Sequence, residues 1–359
     1  MISTDKRYFK GGGLFAASNS SDGFKSYYKQ VFEDRNLSRI YIIKGGPGTG
    51  KSRFMREIAD HAERLGRYVE YYYCSSDPDS LDGIIIEDRV AVIDGTSPHS
   101  VEPKTAGARE ELIDLGAFWD SDRLLRRYEE IKLLSDKKSE CYSKAYRYLS
   151  GCGELSGINR SLIFPALREE KMLAYIGRLL DTIPKGQGFS LTPALCDSVG
   201  MKGRARFDTY EKCAEKVYYV IDWYTSAHFF LSALVCGAQR RDIPLRVSYD
   251  PINSESIDAV YFCNCGYAFV SVEPSESETL EGKCVNMKRF VDKDILEASK
   301  KEYRYNCRLC EALLSSACEA FSKAGEYHFE LEKIYSSCMD FDAKERYTRS
   351  FCQLIDRII

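Results

Sequence analysis

The sequence predicts an α/β fold written twice: two α/β halves related by an internal repeat, each with a helical appendage. Three observations lead there. A glycine-rich loop stands between a strand-like and a helix-like segment near the start. The pattern of that first half returns in the second. Long stretches with apolar residues at helical spacing follow each copy.

The loop is Gly45-Gly46-Pro47-Gly48-Thr49-Gly50-Lys51-Ser52, which fits G-x-x-x-x-G-K-[ST] at every fixed position. Glycines let backbone N–H groups converge on a polyphosphate, and a helix beginning beneath them adds its positive dipole end. Arg39-Ile40-Tyr41-Ile42-Ile43 before it reads as a buried strand. Phe54, Met55, Ile58, Ala62 and Leu65 after it recur at helical spacing, and Gly66 supplies a C-cap. Strand, loop and helix in that order predict a P-loop NTPase-like half. Gly45 to Ser52, with Arg53 in the first helical turn, are the expected nucleotide contacts. Lys51 is expected at the β- and γ-phosphates, and the Ser52 hydroxyl on Mg²⁺.

Further strands are expected near residues 67–73, 83–86 and 90–94. The last of these, Val90-Ala91-Val92-Ile93-Asp94, has the form of a Walker B strand, so Asp94 is the second expected Mg²⁺ ligand and a catalytic candidate beside Lys51. The alternative for Asp94 is a strand-end aspartate capping a turn. Gly95 follows it in place of the catalytic glutamate found in fast ATPases, which argues for slow hydrolysis or for transfer to an acceptor. Asp77, Asp79 and Asp82 fall at the carboxyl edge of the sheet, where ligands bind, although turn formation explains them as well. His99 either faces the γ-phosphate or occupies a surface loop. Arg123, Arg126 and Arg127 either supply charge to the site or form a solvated helix face.

The repeat has a period of about 177 residues. Ile40–Ile43 aligns with Val217–Val220, Ser80–Ile84 with Ser256–Val260, Ala91–Ile93 with Ala268–Val270, and Phe118–Leu124 with Phe290–Leu296. The loop itself does not return. Asp222-Trp223-Tyr224-Thr225-Ser226-Ala227-His228-Phe229 stands in its place, with no lysine and no glycine to admit a phosphate. The domains expected are a P-loop nucleotide-binding unit over 1–118, a helical appendage over 119–185, a degenerate P-loop-like unit over 186–286 and a C-terminal helical segment over 287–359.

In the appendages, Leu124, Tyr128, Ile131, Tyr142, Ala145 and Leu149 mark one helical face, and a second helix is expected over Leu167–Leu180. Cys310, Leu313, Ala317, Ala320, Ala324, Tyr327, Leu331 and Ile334 step by three and four residues, a seam suited to a helical hairpin within the chain or to a homodimer. Bulk properties exclude rather than assign. Hydrophobic content of 44% with 29% charged residues and a net charge of −3 gives a globular profile with no electrostatic footprint for nucleic acid. The longest strongly apolar run, Ala227–Cys236, is too short to span a membrane, and no cationic leader opens the sequence, so a cytoplasmic protein is expected. The 14 cysteines read mainly as small buried residues in a reducing compartment, with Cys263/Cys265 and Cys307/Cys310 the two spacings that suggest a metal.

Taken together, Gly45–Ser52, Cys74–Asp77 with Ser80–Gly83, Asp94–Thr96 with Pro98-His99, and Pro103-Lys104 followed by Gly107 resemble a family of uncharacterised bacterial tandem P-loop ATPases. His328–Glu332 and Met339–Phe341 are similar to that family's closing segment. The resemblance implies ATP binding, with a phosphate loop in both halves, and residues 222–229 depart from it. The function expected is Mg·ATP binding and hydrolysis in the first half only, coupled to conformational change. Two alternatives stand beside it: a nucleotide or small-molecule kinase, and an ATP-sensing interaction protein with little turnover.

Overall fold

The computed structural model describes residue 9, residues 12–276 and residues 280–358. In chain order, the first half contributes β1 (Gly13–Phe15), β2 (Ala17–Ser20), β3 (Gly23–Ser26), β4 (Arg39–Lys44), α1 (Lys51–Arg64), β5 (Val69–Tyr73), β6 (Leu81–Ile86), β7 (Val90–Asp94) and β8 (Glu110–Asp114). The helices α2 (Ser121–Arg126), α3 (Tyr128–Ile163) and α4 (Glu169–Leu180) follow. The second half contributes β9 (Leu191–Pro193), β10 (Asp197–Gly200), β11 (Gly203–Arg206), α5 (Thr209–Cys213), β12 (Lys216–Ile221), α6 (Ala227–Gln239), β13 (Leu245–Tyr249), β14 (Ile257–Phe262), β15 (Tyr267–Val272) and β16 (Lys283–Asn286). The chain closes with α7 (Lys293–Ser336) and α8 (Phe341–Ile355).

The two halves are similar. Six strands in the order β1-β5-β6-β7-β4-β8 form one sheet, and six in the order β9-β13-β14-β15-β12-β16 form the other. The directions also correspond: β6 runs antiparallel to β5 and β7, as β14 does to β13 and β15, while the remaining pairs are parallel. Strand β4 is buried along Ile40–Ile43 because helices or sheet cover both of its faces. Each half also carries an antiparallel hairpin, β2–β3 and β10–β11.

The halves pack through a shared core in which Phe15, Tyr72 and Ile93 of the first meet Leu195, Tyr261 and Val270 of the second. At its centre lies a buried charge cluster. Glu70, second in β5, pairs with Arg246, second in β13, at 2.7 Å, and with Arg35 at 2.8 Å. Burial alone would raise the Glu70 carboxyl, but the two guanidiniums outweigh it and hold the group well below the usual carboxylate range. Each hairpin tip docks on the other half. Ser21 N donates to Ile252 O at 2.9 Å, and Met201 N donates to Ser76 O at 2.8 Å.

The helical appendages are exchanged, which periodicity alone does not reveal. Helix α3 is continuous through Ile163 and carries the chain across, so that α4 buries Met172, Ile176 and Leu180 against Phe230, Leu231 and Leu234 of α6. Helix α7 returns, and α8 buries Phe351, Cys352 and Ile355 against Tyr41, Phe54 and Ile58. The crossing points are stitched alike: Asp120 N donates to Cys338 O at 2.8 Å, and Asp292 N donates to Ala166 O at 2.7 Å. The seam on α7 faces α3 antiparallel within the chain, with Ala317 and Phe321 against Ala145 and Leu149, and Leu331 and Ile334 against Leu134. The small residues of the seam permit that approach.

One expectation about the cysteines needs correction. Cys310 is joined to Cys152 of α3 in a disulfide, with Cα atoms 4.7 Å apart, because the antiparallel pairing brings together residues separated by 158 positions. Among the described residues, no helix is long and apolar enough to cross a membrane.

Candidate functional site

The loop from Gly45 to Gly50 leaves the end of β4 and enters α1, whose N-cap is Gly50 with φ of 78°. Gly48 has φ of 71°, and a Cβ there would lie 2.5 Å from the backbone oxygen of Glu332 on α7. Only glycine meets both demands. The loop holds its own shape: Thr49 Oγ1 donates to Gly46 O at 2.9 Å, and Lys51 Nζ donates to Gly45 O and Gly46 O at 2.8 and 2.9 Å. Ser336 Oγ of α7 donates to Gly48 O at 3.0 Å, so the returning arm clasps the loop from outside.

Asp94 ends β7, the parallel neighbour of β4, and its Oδ2 lies 3.6 Å from Lys51 Nζ. Its Oδ1 accepts from Thr96 N at 2.9 Å and Thr96 Oγ1 at 2.6 Å, so one oxygen caps the turn while the other faces the lysine. Asp94 is thus a turn cap through Oδ1, with Oδ2 left toward the lysine and the cavity. Ser52 Oγ accepts from Leu81 N at 2.9 Å, which fixes the hydroxyl at the start of β6. Lysine, hydroxyl and carboxylate border one cavity of about 1090 Å³.

The other sequence candidates divide. His99 is not a surface residue: it is 6% exposed, stacked on Tyr28 with ring centroids 4.2 Å apart, and its Nε2 lies 3.0 Å from Asp82 Oδ2. Its Nδ1 is buried without a hydrogen-bond partner among the described residues. Both His99 and Asp82 border the cavity. Asp77 also borders the cavity, but it and Asp79 meet Lys202 at the tip of the β10–β11 hairpin, and Asp77 accepts from Ser80 Oγ at 2.9 Å. They tie the second half to the edge of the site. Arg123 and Arg126 are exposed, and Arg127 pairs with Glu130 at 2.8 Å, so these arginines form a solvated helix face. Arg53 pairs with Glu57 and Glu345 on the surface while bordering the cavity.

Sequence reasoning missed the groups that the arms bring to the site. Lys138, Tyr142 and Tyr146 of α3, and Glu332 and Ser336 of α7, also line the cavity, the last two against the loop itself. The run Lys137-Lys138 looks like an ordinary solvated helix face, so no signal in the sequence marks it.

In the second half the corresponding loop keeps two anchoring hydrogen bonds and one left-handed position, but changes backbone elsewhere and loses the cavity-facing chemistry. Ser226 Oγ donates to Trp223 O at 2.6 Å, as Thr49 does to Gly46. Ile257 N donates to His228 Nδ1 at 3.2 Å, where Leu81 N donates to Ser52. Thr225 takes φ of 55° at the place of Gly48. Trp223 lies under Lys288, whose Nζ is 3.2 Å from the ring centre, and Tyr224 packs edge-on against Tyr303 of α7 at 5.5 Å. Burial pushes Asp222 up to about 7, and burial together with the charge of Arg160 pushes His228 down to about 4. A neutral histidine accepting a backbone hydrogen bond cannot stand in for an ammonium.

Residues 24–84, from the β2–β3 hairpin to β6 and including the loop, match the family model described as Nephrocystin 3, N-terminal. No curated protein and no solved structure matches the chain.

Proposed function

We propose that the protein binds Mg·ATP at the Gly45–Ser52 loop and hydrolyses it slowly, with the second half acting as a scaffold that closes the site. The observation that carries this reading is the meeting of Lys51 and Ser52, at the start of α1, with Asp94, at the end of β7, where a glycine loop opens on the cavity. Loop N–H groups and Lys51 would hold the β- and γ-phosphates, and the N-terminus of α1 would add its dipole. The Ser52 hydroxyl and the Asp94 carboxylate fit a Mg²⁺ site, because each keeps acceptor capacity on the cavity side. The metal would neutralise charge on the phosphate oxygens. The protein's own share is positioning and preorganised charge. Gly95 in place of a carboxylate next to Asp94 leaves no base there, which supports slow turnover.

A second reading, transfer of the γ-phosphate to a small acceptor, has its own supporting observation. The cavity of about 1090 Å³ runs past the loop to the buried Asp82–His99 pair and to Tyr142 and Tyr146. A thermal-shift series with nucleotides, with and without Mg²⁺, followed by phosphate release, separates these readings. Stabilisation by Mg·ATP with slow release of phosphate is the expected result. ATP consumption only on adding an acceptor would favour transfer, and tight binding with negligible turnover would favour a sensor. No shift at millimolar nucleotide would overturn the assignment of the loop.

A further inference from the structure

Lys138 presents an unusual situation for a surface-type residue. It sits about three turns into α3, on the arm that leaves the first half, and its side chain lines the same cavity as Lys51. Among the described residues it makes no ion pair and no hydrogen bond. Burial and the nearby charge of Lys51 both disfavour its ammonium form, and Glu332 offsets them only in part. Two ammonium groups therefore share one partly dry space, Lys51 held by the Gly45 and Gly46 carbonyls and, at 3.6 Å, by the Asp94 carboxylate. Like charges held together in this way destabilise each other unless a polyanion lies between them.

Resting on the loop's assignment as a nucleotide site, we infer that Lys138 is a second phosphate-binding cation, delivered by the helical arm to the terminal phosphate. Lys51 belongs to the loop and meets the phosphates from the sheet side. Lys138 reaches the cavity from α3, one turn before Tyr142, and near enough to Lys51 and to Glu332 of α7 for their charges to act on it. A diphosphate would engage the loop and Lys51 alone, whereas a triphosphate would also draw in Lys138. Because α3 continues into the second half and packs along α7, the terminal phosphate would tie the loop to both arms at once. The second half would then respond to nucleotide state without binding nucleotide itself.

Equilibrium binding of a non-hydrolysable ATP analogue and of ADP, with Mg²⁺, to the full chain tests this. Lys138→Gln is expected to weaken the triphosphate by about 10- to 100-fold, the loss of one charge-assisted contact, and ADP by less than about threefold. Lys138→Arg should retain most of the discrimination. Without ligand, Lys138→Gln should melt at or above the wild-type temperature, because it removes the repulsion from Lys51, and this shows the variant is folded. Equal affinities of wild type and Lys138→Gln for the triphosphate would overturn the inference while leaving the loop's assignment standing. Parallel losses for ADP and triphosphate would also overturn it, by making Lys138 a general structural element. Failure of the wild type to bind either nucleotide would remove the assignment of the loop, and the inference with it.

Discussion

The loops at 45–52 and 222–229 share a left-handed position, Gly48 and Thr225, but carry opposite chemistry on the cavity side. Otherwise they differ in backbone, with positive φ at Gly45 and Gly50 in the first and at Tyr224 in the second. In both, a hydroxyl three residues on closes the turn onto a carbonyl, Thr49 onto Gly46 and Ser226 onto Trp223. In both, a helix-start side chain accepts the N–H that begins the next strand, Ser52 from Leu81 and His228 from Ile257. What differs is whatever a phosphate would touch. The first loop offers glycine, a lysine and a hydroxyl. The second offers Trp223 under Lys288, Tyr224 against Tyr303, and a neutral histidine. The difference teaches that the turn and the binding chemistry are separable. Short polar side chains can keep a strand–loop–helix order anchored after the residues that would meet a ligand have gone, even where the loop backbone has changed.

Exchanging residues at the left-handed position sharpens this comparison most. Gly48→Thr introduces a Cβ 2.5 Å from Glu332 O at a φ of 71°, so the loop or α7 must move. A loss of about 2–4 kcal/mol in denaturant unfolding is expected, together with loss of nucleotide binding. Thr225→Gly, the mirror change, relieves about 1 kcal/mol of left-handed strain and adds glycine's entropy of similar size, so its stability should stay within about 1 kcal/mol of wild type. Equal costs for the two variants would show that positions 48 and 225 do not share a left-handed conformation.

Asp94→Asn tests the metal side of the first loop. The amide keeps the Oδ1 acceptor that caps the turn at Thr96 and loses the charge facing Lys51. Turnover should fall by about tenfold or more, with a weakened Mg²⁺ dependence and nucleotide affinity largely kept. A Mg²⁺ titration that matches wild type would leave Asp94 as a turn residue alone.

Much of the fold was legible because buried parallel strands announce themselves. Ile40–Ile43 and Ala91–Ile93 are continuous apolar runs, and both lie in strands where expected. Strands β1 and β8 carried no such signal, one being 3 residues long and the other the polar Glu-Glu-Leu-Ile-Asp at a sheet edge. The seam on α7 was legible as a seam, but periodicity does not say which surface a helix faces, so the exchange of arms was hidden. Lys138 and the Cys152–Cys310 disulfide stayed hidden for the same reason. The burial of His99 was not legible because Tyr28, which covers it, lies far away in sequence. The residues of the Gly45–Ser52 loop were legible in full, since their spacing is local.

A smaller effect separates the second loop from the first by pH. Asp222 titrates near 7 in the folded protein against an ordinary 3.8, so the folded state holds its proton to higher pH than the unfolded chain does. Stability from this group is present below about 4 and is lost as pH rises toward 7. Asp222→Asn stays neutral and can still accept from Ala227 N, which Asp222 Oδ1 does at 2.9 Å. The variant should therefore gain on wild type by a few degrees in Tm at pH 8 relative to pH 5. A pH-independent difference would mean that Asp222 is ionised at little cost.

The number of nucleotides bound per chain tests the central claim most directly. Two similar halves would suggest two sites, whereas the side chains at 222–229 argue for one. Isothermal titration of the full chain with a non-hydrolysable ATP analogue and Mg²⁺ is expected to give a stoichiometry near one, with no binding remaining in Lys51→Ala. A stoichiometry near two, with one site surviving Lys51→Ala, would contradict the account and show that the second loop binds nucleotide through contacts unlike those of the first.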